Sequence, residues 1–125
     1  MAHVGTEWVI DATGCDAAKL REVESLQLLF ARIVAELQLH PVGEPRWQCF
    51  PAPGGVTGLM LLRESHLTCH TYPEHQTATF NLYCCTPRPA WQWDEALHHS
   101  LGAALVTVRV LERGITTVSF DHATR

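Results

Sequence analysis

Positive charge is scarce in this chain. One lysine, Lys19, and eight scattered arginines face 13 acidic residues, for a formal charge of −4 at pH 7. No basic stripe exists to gather phosphates by counterion release, so nucleic acid is not an expected partner. Long apolar runs are missing as well. Nothing approaches the roughly 18 residues of a membrane span, and no basic segment leads into an apolar stretch at the N-terminus. A cytoplasmic protein is expected. The five cysteines, Cys15, Cys49, Cys69, Cys84 and Cys85, are an odd number without C-x-x-C spacing, which argues against a disulfide framework and a structural zinc site. Reduced and mostly inert thiols are expected, because buried cysteine behaves as a small apolar residue. Internal repeats and low-complexity segments are also lacking.

What is present suits one packed domain over residues 1–125: the length is that of a single domain, and 46% of the residues are apolar. Glu7 to Ala12 reads as a strand, Thr13-Gly14-Cys15-Asp16 as a turn whose Asp16 caps a helix running to about Leu39. Leu20, Val23, Leu26, Ile33, Val34 and Leu37 recur at three- and four-residue steps and form one apolar stripe. Pro41, Gly43 and Pro45 predict a loop, followed by a short strand around Trp47 to Phe50. Val56 to Arg63, His66 to Tyr72 and Thr77 to Cys85 read as strands, about Trp91 to Ala104 as a second helix, and Leu105 to Glu112 as a last strand. That order predicts an α+β two-layer sandwich, an antiparallel sheet covered on one face by two helices. The residues after Gly114 are left as a tail, either a short strand or disordered.

Chemistry-bearing residues gather in ESHLTCHTYPE, residues 64–74. A Ser-His pair at a strand start is ordinarily structural, and so is a lone His70. His66, His70 and His75, at spacings of four and five, do not converge in a strand, so no metal site is expected. In Thr77 to Cys85, alternation sets Thr77, Thr79, Asn81, Tyr83 and Cys85 on one face and assigns Cys84 to the core face. His66, Thr68 and His70 likewise share one side of their strand, which brings His70 to Cys85 only if the register allows.

The stretch GVTGLMLLRESHLTCHTYPE (residues 55–74), Cys85 twenty residues after Ser65, and GTEWVIDATGCDAAKL (residues 5–20) together resemble the short prokaryotic S-adenosylmethionine decarboxylase proenzymes, a pyruvoyl-dependent family. In that family a Glu-Ser bond is cut by the protein itself, a His five residues later assists, and a Cys twenty residues later acts in turnover. Ser65, His70 and Cys85 occupy those positions. The resemblance implies that Ser65 Oγ attacks the Glu64 carbonyl to form an ester and that His70 helps remove the Ser65 α-proton. Elimination then leaves a dehydroalanine that hydrolyses to a pyruvoyl group with loss of ammonia. The products would be a β chain, 1–64, and an α chain, 65–125.

Decarboxylation leaves a carbanion that no side chain delocalises well, so an electrophilic sink is required. Pyridoxal phosphate would need a lysine, and Lys19 lies on a predicted helix surface; a pyruvoyl group needs only Ser65 and a cut. By the same resemblance Cys85 donates a proton to the substrate, Thr57 supports processing, Glu74 bonds the ribose hydroxyls, Phe50 stacks on adenine and Tyr72 occupies a Trp/Tyr position. A homodimer of cleaved protomers acting on S-adenosylmethionine, for spermidine synthesis, is implied too. The chain departs from the family in carrying Thr57 for serine, an extra residue in FPAPGG, Asn81 for aspartate, and Cys84-Cys85-Thr86 for Thr-Cys-Gly. Arginine or ornithine decarboxylation with the same group, and an unprocessed non-catalytic paralogue, remain open alternatives here. A serine hydrolase built on Ser65, His70 and Glu74 is weaker, since the glycine-framed nucleophile turn is absent.

Overall fold

A computed structural model describes residues 4–114 and 120–121. Its elements are β1 (Gly5–Thr13), α1 (Val23–Glu36), β2 (Arg46–Cys49), β3 (Val56–Leu61), β4 (Ser65–Tyr72), β5 (Thr77–Cys84), α2 (Trp93–Leu101) and β6 (Leu105–Arg113). The strands form one antiparallel sheet in the order β2-β3-β4-β5-β1-β6, with both helices on one face, as the sequence pattern implied. The expectation for the tail falls largely on residues 115–119 and 122–125, which lie outside the described residues.

Strict alternation creates the two faces. Trp8, Ile10 and Ala12 of β1, Leu67 and Cys69 of β4, and Phe80 and Leu82 of β5 are buried against Leu26, Phe30 and Ile33 of α1 and Trp93 and Leu97 of α2. Each of the leucines, isoleucines and phenylalanines among them contributes about 1.5–3 kcal/mol of transfer free energy. The alternate residues, among them Glu7, Thr57, Leu59, His66, Thr68, His70, Asn81 and Tyr83, stand on a face that neither helix covers.

The first helix is shorter than the periodicity suggests. Asp16 Oδ1 accepts from the Ala18 N–H at 2.9 Å, yet only a 3-10 turn follows, Lys19–Arg21, before Glu22 turns extended and α1 begins. Thr71 Oγ1 donates to the Leu20 carbonyl at 2.7 Å, taking the acceptor that a continuous helix would offer to residue 24. At the other end Gln38 is left-handed, and the Leu39 and Gln38 N–H groups donate to the carbonyls of Val34 and Ala35, a Schellman cap that stops the helix at Glu36. The second helix likewise stops early, at Leu101, where Gly102 adopts a φ of 70°.

Gly58 is required by packing. It pairs with Trp47 across β2 and β3, and a Cβ at this position would meet the indole ring at 2.3 Å. Trp47 itself packs on Phe30, ring centroids 4.8 Å apart, and so joins the sheet edge to α1. Gly58→Ala should therefore cost about 1–3 kcal/mol by overpacking, measured as a lowered midpoint in urea unfolding.

Candidate active site

The turn joining β3 to β4 carries Glu64 and Ser65. Glu64 is 5% exposed despite its charge. Its carboxylate accepts the His40 backbone N–H at 3.0 Å, contacts His40 Nδ1, and accepts Arg88 Nη2 at 3.1 Å. Burial acts to raise the Glu64 pKa, but hydrogen bonds from His40 outweigh it and hold the carboxyl below its usual range. The Glu64 main-chain carbonyl accepts the Cys85 N–H at 2.8 Å, and the Ser65 carbonyl accepts the Leu62 N–H at 3.0 Å. Between these anchors Ser65 has a φ of 153°, in the region that favours glycine, a conformation costing about 1–3 kcal/mol. The arrangement suits acyl transfer: addition of a hydroxyl to the Glu64 carbonyl carbon would place negative charge on an oxygen already held by an N–H donor.

The β4–β5 register pairs Ser65 with Cys84, which brings Cys85, one residue on, beside the same turn. Cys85 is exposed, whereas Cys84 is buried with its pKa pushed up to about 11 by burial. Cys69, deeper in the core, is pushed up to about 12 for the same reason. The alternation argument that separated the two adjacent cysteines therefore agrees with their burial.

A second group of residues lies at the other end of β4. Thr57 pairs with His70 across β3 and β4, and Thr57 Oγ1 lies 3.1 Å from His70 Nδ1. Beside them is a cavity of about 290 Å³ lined in part by Phe50, Thr57, His70, Tyr72 and Glu74. Phe50 and Tyr72 are half exposed there, ready to offer flat apolar surface.

These two groups are not together in one chain. Ser65 and His70 are five residues apart on one straight strand, which at about 3.3 Å per residue separates them by about 16 Å. The residues expected to share a site thus form two half-sites at opposite ends of β4. Between them runs the open sheet face, with His66 Nε2 3.0 Å from Asn81 Oδ1, and Asn81 Nδ2 donating to Glu7 at 2.6 Å. Arg113 completes that line by donating to Glu7 at 2.7 Å. Among the described residues no group of three His, Cys, Asp or Glu side chains could hold a metal ion, and no helix is long and apolar enough to cross a membrane.

Sequence reasoning missed His40 and Arg88. Their only sequence mark is position in proline-flanked loops, and both lie 24 residues from Glu64, a separation no local pattern encodes. It also missed the donor role of the Cys85 main chain, which depends on strand pairing and not on residue type.

The family model described as S-adenosylmethionine decarboxylase matches residues 6–114. An S-adenosylmethionine decarboxylase proenzyme of Aquifex aeolicus (strain VF5) is 34% identical over 113 residues, covering 90% of this chain and 82% of that protein. One from Symbiobacterium thermophilum is 40% identical over 98 residues, covering 77% and 72% respectively. The crystal structure of the adenosylmethionine decarboxylase from Aquifex aeolicus VF5 superposes with a TM-score of 0.77 at 30% identity, covering 98% of this chain and all of that one.

The thiol environments predict selective chemistry. At pH 8 a pKa of about 11 leaves Cys84 roughly one part in a thousand thiolate. Iodoacetamide at that pH should label Cys85 and Cys49 while sparing Cys84, Cys69 and Cys15, read by peptide mass spectrometry.

Proposed function

This chain belongs to the S-adenosylmethionine decarboxylase family, and from that premise we propose the roles its residues play in maturation and turnover. The protein is a decarboxylase that acts on S-adenosylmethionine, made as a self-processing proenzyme; its product serves as the aminopropyl donor in spermidine synthesis. The cut falls between Glu64 and Ser65, giving chains 1–64 and 65–125. The observation that carries this reading is the strained Ser65 whose preceding carbonyl is already held by the Cys85 N–H.

Ser65 fits the demands of a residue converted to a pyruvoyl group. It opens a strand, stands beside an exposed cysteine, and its peptide bond is braced at the carbonyl that must be attacked. Once formed, the pyruvoyl carbonyl would supply the sink for the electron pair that departing carbon dioxide leaves behind. Cys85 holds a proton at Sγ beside that position and delivers it to the substrate carbon. Thr57 orients the His70 ring through Nδ1, leaving Nε2 free to take the Ser65 α-proton during maturation. Phe50 and Tyr72 present apolar surface to the adenine, and Glu74 supplies acceptors for the ribose hydroxyls.

The half-sites are completed by a homodimer. Two copies with their open faces opposed and their β4 strands antiparallel, related by a two-fold axis near Thr68, would set Ser65 and Cys85 of each against His70 and Thr57 of the other. An isologous interface builds both sites at once. The face has apolar surface to bury, with Leu59 and Leu61 flanking a hollow of about 320 Å³ beside His66 and Thr68.

Arginine or ornithine as substrate is disfavoured. A guanidinium or ammonium tail needs free carboxylates, yet Glu7 and Asp11 on the open face are each bonded to an arginine, at 2.7 Å in both pairs. Among the described residues, Glu74 is the one carboxylate lining the cavity beside His70. The non-catalytic reading is disfavoured by the Thr57–His70 contact, since threonine keeps the hydroxyl that processing uses.

Ser65→Ala should remain one chain on mass spectrometry, whereas wild type resolves into two with a blocked, ketone-bearing N-terminus on the second. Cys85→Ala should cut normally but lose about 10²–10⁴-fold in release of labelled carbon dioxide from S-adenosylmethionine. Co-expression of Ser65→Ala with His70→Ala protomers tests the shared site: mixed dimers should recover cleavage of the His70→Ala chain, and no recovery would rule out completion by a partner.

A further inference from the structure

Self-cleavage needs more than a serine and a carbonyl, because Ser65 can add to Glu64 only if the turn stays in its strained form long enough to react. Glu64 meets that need through an unusual anchor. Its side chain is buried and ends on groups supplied by two separate loops.

The loop after α1 provides His40. Its N–H and Nδ1 both meet the Glu64 carboxylate, and its carbonyl accepts the Arg63 N–H at 2.8 Å. The loop after β5 provides Arg88, 16% exposed at its side chain. Its guanidinium donates to Glu64, to the Gln38 carbonyl at 3.3 Å, and to Thr86 Oγ1 and the Pro87 carbonyl at 2.9 Å. Arg88 therefore ties the two loops together with Glu64 between them. Three residues earlier the same loop gives the Cys85 N–H that holds the Glu64 carbonyl. One loop thus grips both the side chain and the main chain of the residue to be cut.

We propose that Arg88 and His40 are positioning residues for chain cleavage, holding Glu64 by its carboxylate so that its carbonyl stays on the Cys85 N–H and within reach of Ser65 Oγ. This rests on the reading of the chain as a self-processing decarboxylase and extends it to residues with no part in binding substrate. The step served is the first one. The bond from Ser65 Oγ to the Glu64 carbonyl carbon forms, the bond from that carbon to the Ser65 nitrogen breaks, and the hydroxyl proton passes to the freed nitrogen. The products are an ester and an amine, with no outside reactant. The rearrangement also frees the Ser65 backbone from the peptide that held its φ at 153°. Without the clamp, the Glu64 side chain turns to water, the turn relaxes, and the strain is lost before addition occurs.

The test follows cleavage of freshly purified proenzyme by mass spectrometry, with urea unfolding as a control for folding. Arg88→Met should slow cleavage by about 10- to 100-fold, and Arg88→Lys, which keeps the charge but not the fork that ties the loops, should fall between it and wild type. Hydroxylamine, which cuts esters and leaves amides, should give Arg88→Met no faster cleavage, because the lost step precedes the ester. His70→Ala, blocked later at α-proton removal, should be cut by it. Should Arg88→Met fail to fold, Glu64→Gln and Arg88→Lys carry the same comparison, with slowed cleavage expected in both. Folded Arg88→Met or Glu64→Gln cleaving at the wild-type rate, or Arg88→Met accumulating hydroxylamine-sensitive ester, would overturn the proposal alone. A wild-type chain that never cuts would instead overturn the self-processing reading beneath it.

Discussion

The antiparallel pairing of β4 with β5 is the constraint on which the rest of this structure depends. Its register sets Ser65 opposite Cys84 and His70 opposite Thr79. Shifting it by one residue would turn Leu67 and Cys69 out of the core and His66 and His70 into it, because side chains in a strand alternate. The same register carries Cys85 to the β3–β4 turn, where its N–H reaches the Glu64 carbonyl. Core packing and site geometry are therefore two consequences of one alignment, and the hydrophobic effect that fixes the first fixes the second.

A sheet with helices on one face only leaves its other face unfinished. Here that face is neither a polar, solvated surface nor a closed core. It carries Leu59 and Leu61, a line of hydrogen bonds from His66 through Asn81 to Glu7 and Arg113, and the Thr57–His70 pair. Such a mixture suits a surface that receives a second copy and a polar substrate together. In the proposed dimer, dividing the chemistry between the two ends of β4 would also keep a lone, newly folded chain from completing its site, since Ser65 and His70 stand five residues apart along one strand.

Under the proposed clamp, Glu64 is a buried charge that serves chemistry instead of stability. Removing a carboxylate from water costs several kcal/mol unless partners restore its hydrogen bonds, and His40 and Arg88 do so from loops that no strand or helix would otherwise hold together. Under the proposed clamp, those contacts secure the main-chain conformation of the Glu64–Ser65 turn.

Much of this was legible from residue order alone. Period-two alternation in Thr77 to Cys85 separated a core Cys84 from an exposed Cys85, and the three- and four-residue spacing of Leu20, Val23, Leu26, Ile33, Val34 and Leu37 identified the covering helix, because burial periodicity follows directly from strand and helix geometry. Ser65, His70 and Cys85, the residues proposed for the site, were singled out by a family resemblance at set spacings. Where α1 begins was not, since a threonine in β4 takes a carbonyl from residue 20. Nor was the grip of His40 and Arg88 on Glu64. Those depend on which distant segments pack side by side. Contacts across 24 residues leave no periodic trace in the chain, so only the folded arrangement of loops and strands could decide them.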